Sequence, residues 1–158
     1  MNETSSETNK EKILEALRVS VVEIMSTMAM SEVIYTGRET VDNFYLSKEV
    51  CGLVRIGGAH EGMIAISCNL ELLGVIVSSI VGLSVDELQR DDLLDGAAEL
   101  ANMVGGGMKT KAQIPGVALS PPMSIIGGDY MAEWKTLRAT EILTFQMELG
   151  ILQIHASL

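Results

Sequence analysis

The sequence is poor in cysteine, in basic residues and in long apolar runs, and each shortage excludes a class of protein. The two cysteines, Cys51 and Cys68, are too few for a disulfide framework and lack metal-ligand spacing, so we expect reduced core residues. Eleven Lys and Arg against 21 Asp and Glu give a net charge of −10, which argues against nucleic-acid and anionic-membrane partners. The longest apolar run, residues 72–83, is too short to span a bilayer.

The chain is long enough to form one domain with a substantial core. Its 158 residues are 47% apolar, and its mean hydropathy is +0.30, which favours extensive burial. Residues 1–9 are rich in Ser, Thr and Glu, which predicts a disordered tail without the apolar segment of a secretory signal. We therefore expect a single domain over residues 10–158 and a cytoplasmic location.

Two helices are predicted in the first half of the chain. The first falls within residues 10–33, where one apolar stripe comprises Ile13, Leu17, Val21, Ile24 and Met28. The second covers residues 70–81, because Asn69 is a suitable N-cap and Gly82 a natural stop.

A third, longer helix is predicted over residues 91–113. A capping box formed by Ser84 and Glu87 precedes it, and Pro115 ends it. Three consecutive glycines at residues 105–107 each cost about 1 kcal/mol relative to alanine. The glycines therefore indicate either a close approach of another surface or an early end of the helix.

Strands are grouped rather than alternating with helices. Residues 49–56 and 61–68 predict a hairpin joined by a glycine-containing turn. Residues 37–43 are interpreted as a break. The last third of the chain is β-rich, with about three strands predicted at residues 123–126, 141–149 and 151–156. This order predicts an α+β domain in which long helices pack on a mainly antiparallel sheet.

The third helix has two contrasting faces. At 100° per residue, one arc is apolar and comprises Leu93, Leu94, Ala97, Leu100, Ala101, Val104 and Met108. The opposite arc comprises Asp92, Asp95, Glu99, Asn102 and Gly106. Glu99 and Asn102 are three residues apart, so their side chains are neighbours on the face predicted to be exposed.

The chemistry open to this pair is limited. The amide of Asn102 has no useful pKa, but it can orient a water molecule, which is a recurring requirement of phosphoryl transfer. The carboxylate of Glu99 can pair with a lysine or arginine of a partner and fix the docking register. The alternative is that both are ordinary solvated residues, because three-residue spacings of polar side chains are common.

Other candidate sites are weaker. The segment after the glycines is not a phosphate-binding loop, because Met108 rather than glycine precedes Lys109. Asp91 and Asp92 are better explained by the helix dipole than by a metal. The remaining polar candidates, which lack ligand spacing or a nucleophile context, are His60, His155, Ser120 and Ser124.

The order Asp95, Glu99, Asn102 and, about twenty residues later, Pro122 resembles the signature of the CheC, CheX and FliY chemotaxis phosphatases. A single copy of the motif is most similar to CheX. The resemblance implies a phosphatase acting on the phospho-aspartate of a CheY-like response regulator. It further implies a homodimer and no cofactor of its own, since the regulator holds the Mg²⁺.

The resemblance also assigns roles to residues. Glu99 and Asn102 form the catalytic pair, with Glu99 docking to a regulator lysine and Asn102 positioning the attacking water. Asp95 and Pro122 support the site. The role of Gly106 follows from its position on the same arc and not from the resemblance: we expect it to leave room for the regulator surface. The second hypothesis is a non-catalytic interaction module like the flagellar motor-switch proteins, which lack the pair. A small-molecule binding domain is the third, although no cluster of polar residues favours it.

Overall fold

The computed structural model describes residues 3–58, 60–128, 130–134 and 139–158. The elements of these residues, in chain order, are α1 (Glu3–Thr27), β1 (Ile34–Val41), β2 (Phe44–Leu46), β3 (Val50–Gly58), β4 (Gly62–Cys68), α2 (Leu70–Val81), α3 (Arg90–Ala112), β5 (Val117–Leu119), β6 (Met123–Ile126), β7 (Ala132–Trp134), β8 (Thr140–Met147) and β9 (Gly150–Ser157). A 3-10 turn, Val85–Glu87, precedes α3. The predicted α+β class is confirmed.

The main sheet is antiparallel throughout the described pairings. Its strand order is β1-β8-β9-β4-β3-β5, and β6 pairs with β3 beside β5. The predicted hairpin is β3 and β4, with Val50 opposite Cys68 and Ile56 opposite Gly62. β2 and β7 form a separate two-stranded sheet.

The main sheet separates two apolar cores. The larger core lies between the sheet and the helices, which also pack on one another. The smaller core comprises Phe44, Leu46, Cys51, Leu53 and Ala65. Its first two members come from β2, which shows that the small sheet covers the face opposite the helices.

Both cysteines are buried and free, as expected from the sequence. Cys68 belongs to the larger core and Cys51 to the smaller. Burial raises the pKa of each thiol to about 12, so neither is a thiolate at neutral pH.

The capping signals are confirmed. The side chain of Asn69 accepts a hydrogen bond from the Leu72 amide at 2.8 Å, and Gly82 ends α2 in the left-handed region at φ 76°. The Glu87 carboxylate accepts from the Ser84 amide at 2.9 Å. These bonds are local, which is why sequence reasoning could find them.

Three predictions about secondary structure in the N-terminal third are wrong. α1 begins at Glu3 rather than near residue 10, and Met1 and Asn2 lie outside the described residues. α1 also ends at Thr27 rather than near residue 33, because the Ser31 amide closes the helix end by donating to the Met25 carbonyl at 2.9 Å. Residues 37–43, interpreted as a break, mostly belong to β1, a polar strand at the sheet edge.

Glu141 is the centre of a buried ion-pair network that ties α1 to the sheet edge. Its carboxylate is nearly inaccessible and lies 2.7 Å from Lys10 Nζ and 3.0 Å from Arg38 Nε. The Thr40 hydroxyl donates to it at 2.9 Å. Burial alone would raise the pKa of Glu141, but hydrogen bonds from Lys10 and Thr40 and the two positive charges lower it below 4.5.

Glu141→Gln is expected to lower the free energy of unfolding by about 2 kcal/mol at pH 7, since Lys10 and Arg38 lose a shared partner but keep partial access to water. A lowered pKa stabilises the fold above the ordinary value of 4.5 and ceases to do so as pH falls through the folded pKa. The difference between the proteins should therefore shrink below pH 4.5. Urea unfolding across pH 3.5–7 measures it. Glu39→Gln, at an exposed position of β1, is the control, and a gap that does not change with pH would contradict the assignment.

Candidate active site

The helix α3 lies unusually close to β3. A Cβ atom placed on Gly52 of β3 would lie 2.1 Å from the carbonyl oxygen of Ala97. Only a glycine therefore lets the backbone of α3 approach the strand at this point. The buried face of α3 comprises Ala97, Leu100, Ala101, Val104, Gly105, Met108 and Ala112. Leu93 and Leu94, predicted on that face, are only half-buried and lie near the start of the helix.

The predicted polar face of α3 is exposed. Asp95, Glu99 and Asn102 are all accessible to solvent. Their side chains form no hydrogen bond or ion pair with any residue that the structure describes. A partner can therefore bind this carboxylate and amide without breaking an internal contact. The prediction that these residues share one displayed face is confirmed, while their roles stay predictions.

The three glycines do not break α3, which continues to Ala112. A Cβ on Gly105 would lie 3.1 Å from Val54 of β3, and one on Gly107 would lie 2.6 Å from the Ser20 hydroxyl of α1. Both positions are therefore constrained by internal packing. Gly106 differs, because a Cβ there would meet no heavy atom within 4 Å.

Pro122 directly precedes β6, which pairs with β3 and packs against α3. Hydrogen bonds between Arg55 and Ser120 fix the approach to this strand. The Arg55 amide donates to the Ser120 hydroxyl, and the Ser120 amide donates to the Arg55 carbonyl, both at 2.9 Å. Ser120 therefore has a structural role, and the fold places the strand after Pro122 beside the site helix.

A groove lies between α2 and α3, next to Glu99. Its volume is about 240 Å³, and its lining comprises Val77, Ile80, Val81, Asp92, Asp95, Gly96 and Glu99. A Cβ on Gly96 would lie 2.3 Å from a methyl carbon of Val77, so glycine allows the two helices to meet. Sequence reasoning missed Ile80 and Val81, because an apolar helix predicts burial on all sides. The available signal was the position of Val81 immediately before the helix stop.

The two histidines, which were weaker candidates, contact other side chains of the fold. Nε2 of His155 lies 3.1 Å from the Ser67 hydroxyl, and burial lowers the pKa of His155 to about 4, which keeps it neutral at pH 7. His60 contacts Asn9 at 3.4 Å.

Within the described ranges no three His, Cys, Asp or Glu residues are grouped as metal ligands would be. No helix in the same ranges has the length and apolarity to cross a membrane.

Solved structures of chemotaxis proteins share this fold over almost the whole chain. CheX from Desulfovibrio desulfuricans matches with a TM-score of 0.81 at 20% identity, covering 91% of this chain and 97% of that chain. A CheC-like superfamily protein from a Shewanella species matches with a TM-score of 0.81 at 20% identity, covering 99% and 98%. A CheX–CheY–BeF3–Mg²⁺ complex from Borrelia burgdorferi matches with a TM-score of 0.72 at 17% identity, covering 91% and 96%.

The fold is therefore shared with CheX and CheC-like proteins of known structure. A sequence model described as chemotaxis phosphatase CheX matches residues 50–146, which is more than half of the chain and includes α3 and Pro122. The chain belongs to the CheX family of chemotaxis phosphatases. No curated protein sequence matches it.

Proposed function

We propose that this protein hydrolyses the phospho-aspartate of a CheY-like response regulator in the cytoplasm, within chemotaxis or another two-component pathway. The observation that carries the proposal is that Glu99 and Asn102 are exposed, have no side-chain partner among the described residues, and lie on a helix fixed by a close backbone contact. Both residues lie within the part of the chain that matches the CheX family. The relative captured with CheY, BeF3 and Mg²⁺ supports the choice of partner.

Asn102 is the catalytic residue in this proposal. Its amide enters the regulator's active site and holds a water molecule in line with the acyl phosphate. The water oxygen forms a bond to phosphorus and the bond from phosphorus to the aspartate oxygen breaks. One water proton stays on the new phosphate oxygen, and the other passes to a second phosphate oxygen or to solvent. Inorganic phosphate and a free aspartate carboxylate result. Asn102 transfers no proton. The Mg²⁺ that neutralises the phosphoryl charge is held by the regulator.

Glu99 is the docking residue. A bare carboxylate near a phosphoryl group is repelled, so Glu99 must face a cation of the partner. A lysine of the regulator is the expected cation, and the pair sets the register in which Asn102 meets the water. An interfacial ion pair of this kind contributes to association and specificity more than to the chemical step.

The test follows phosphate loss from a CheY-like regulator of the same organism, phosphorylated with a small acyl phosphate and Mg²⁺. We expect the wild-type protein to shorten the phosphate lifetime at substoichiometric concentration. Glu99→Gln should raise KM about tenfold or more, because one charge pair is lost. Glu7→Gln, at an exposed position of α1, is the control for a lost charge. Tight binding with an unchanged phosphate lifetime would instead identify the non-catalytic interaction module.

The proposal includes a homodimer. β1 lies at the edge of the main sheet, and the apolar residues Met28, Met30 and Ile34 are exposed close to it in sequence. An exposed edge strand beside apolar residues favours association. Light scattering decides the matter, and a monomer at micromolar concentration would exclude the dimer.

A further inference from the structure

We infer that the groove between α2 and α3 accepts a second basic side chain of the regulator, in addition to the one that Glu99 binds. This inference rests on the proposed function, because it names a further part of the same docking surface. The groove borders Glu99 directly and is lined by Asp95 from the same helix. A regulator that reaches Asn102 therefore covers it.

The wall of the groove contributed by α2 is apolar and accessible. Val81 is 51% exposed at the last residue of the helix, and Ile80 beside it is half-buried. Val77, deeper in the groove, is fully buried and contacts the position of Gly96. An apolar wall of this kind binds the methylene stem of a long side chain rather than its charged head.

The opposite wall is acidic. Asp95 and Glu99 are four residues apart, so two like charges lie on neighbouring turns of α3 and repel one another. Neither carboxylate has an ion-pair partner among the described residues. Some other exposed carboxylates on the helices have such partners, as in the pairs Glu15–Arg18 and Glu23–Lys111.

Charge complementarity therefore selects the occupant. A lysine or arginine is complementary to both walls, because its methylene stem can pack on Val81 while its cationic head group reaches Asp95. A purely apolar side chain would leave the carboxylate of Asp95 without a cationic partner. Asp92, at the rim, is less available, since its carboxylate accepts a hydrogen bond from the Gln89 amide at 2.7 Å. Asp95 is thus assigned a binding role at the interface.

The experiment measures the affinity of the full-length protein for the regulator treated with beryllium fluoride and Mg²⁺, together with kcat on the phosphorylated regulator. Val81→Ser and Asp95→Asn should each weaken the Kd about three- to tenfold, and this change should exceed any change in kcat. The double variant should lose less than the product of the two effects, because both contact one side chain. Val85→Ser and Asp91→Asn are the controls, at exposed positions outside the groove.

Wild-type affinity in both single variants would overturn the inference, and so would a fall in kcat with unchanged Kd. The proposed function fails separately. If the wild-type protein binds the regulator through Val81 and Asp95 but does not shorten the phosphate lifetime, the groove is supported and the phosphatase activity is not. If the lifetime shortens and both groove variants bind normally, only the groove assignment fails.

Discussion

Asn102→Ala is expected to remove the acceleration of regulator dephosphorylation while leaving binding intact. Loss of one positioned group that acts only in the transition state typically lowers kcat about 100-fold or more. The side chain makes no hydrogen bond with the described residues. Truncation should therefore change the stability by less than about 0.5 kcal/mol. The Kd for the regulator carrying beryllium fluoride should stay within about threefold, because Glu99 still docks.

Two further variants give this result its meaning. Asn102→Asp keeps the shape of the side chain but replaces a donor with a carboxylate that the phosphoryl group repels, so it should be as inactive as alanine. Asn43→Ala changes the same residue type at an exposed position before β2 and should retain full activity. Activity within threefold of wild type in Asn102→Ala would refute the assignment. Loss of regulator binding in that variant would show that Asn102 acts in docking rather than in chemistry.

Gly52→Ala is expected to damage both the fold and the candidate site. The added methyl carbon would lie 2.1 Å from the Ala97 carbonyl oxygen, and a backbone atom cannot rotate away as a side chain can. Either β3 or α3 must move, at a cost of about 3 kcal/mol. For a chain of this size the melting temperature should fall by about 6–12 °C. Ala97 lies between Asp95 and Glu99, so a shift of α3 would also move these two side chains. The variant should therefore have reduced phosphatase activity.

Gly57→Ala is the matched control for this experiment. Gly57 lies on the same strand, has ordinary backbone geometry, and a Cβ there would meet no heavy atom within 4 Å. The free energy of unfolding of Gly57→Ala should therefore stay within about 1 kcal/mol of wild type. Thermal and urea unfolding of both variants measure the difference. Equal losses in the two proteins would show that strand propensity, and not the contact with α3, explains the effect.

The sequence predicted those parts of the fold that local interactions determine. The bounds of α2 were recovered because Asn69 and Gly82 act within one turn of the helix. β1 was missed because an edge strand tolerates polar residues and a glycine, and its pairing with β8 is visible only in the folded chain. The smaller core was also missed. β2 is only three residues long, which is too short to reveal the alternation of polar and apolar residues that marks a strand.

The candidate site was likewise predicted only in part. Helical periodicity was enough to place Asp95, Glu99 and Asn102 on one exposed face of α3. The groove depends on how closely α2 approaches α3, and that distance follows from the contact between Gly96 and Val77. Periodicity contains no information about a neighbouring helix. The resemblance to CheX identified the family, but it said nothing about Ile80 and Val81.

The different surroundings of the three glycines have a consequence for anyone who tries to make this protein more robust. A methyl group at Gly106 fits within the monomer, and alanine is favoured over glycine in a helix by about 1 kcal/mol. A screen for heat resistance should therefore select Gly106→Ala early. Selection for signalling would oppose it, because the same methyl group lies one helical turn from Asn102 on the face that we propose binds the regulator. Stability and activity would then be in conflict at a single atom.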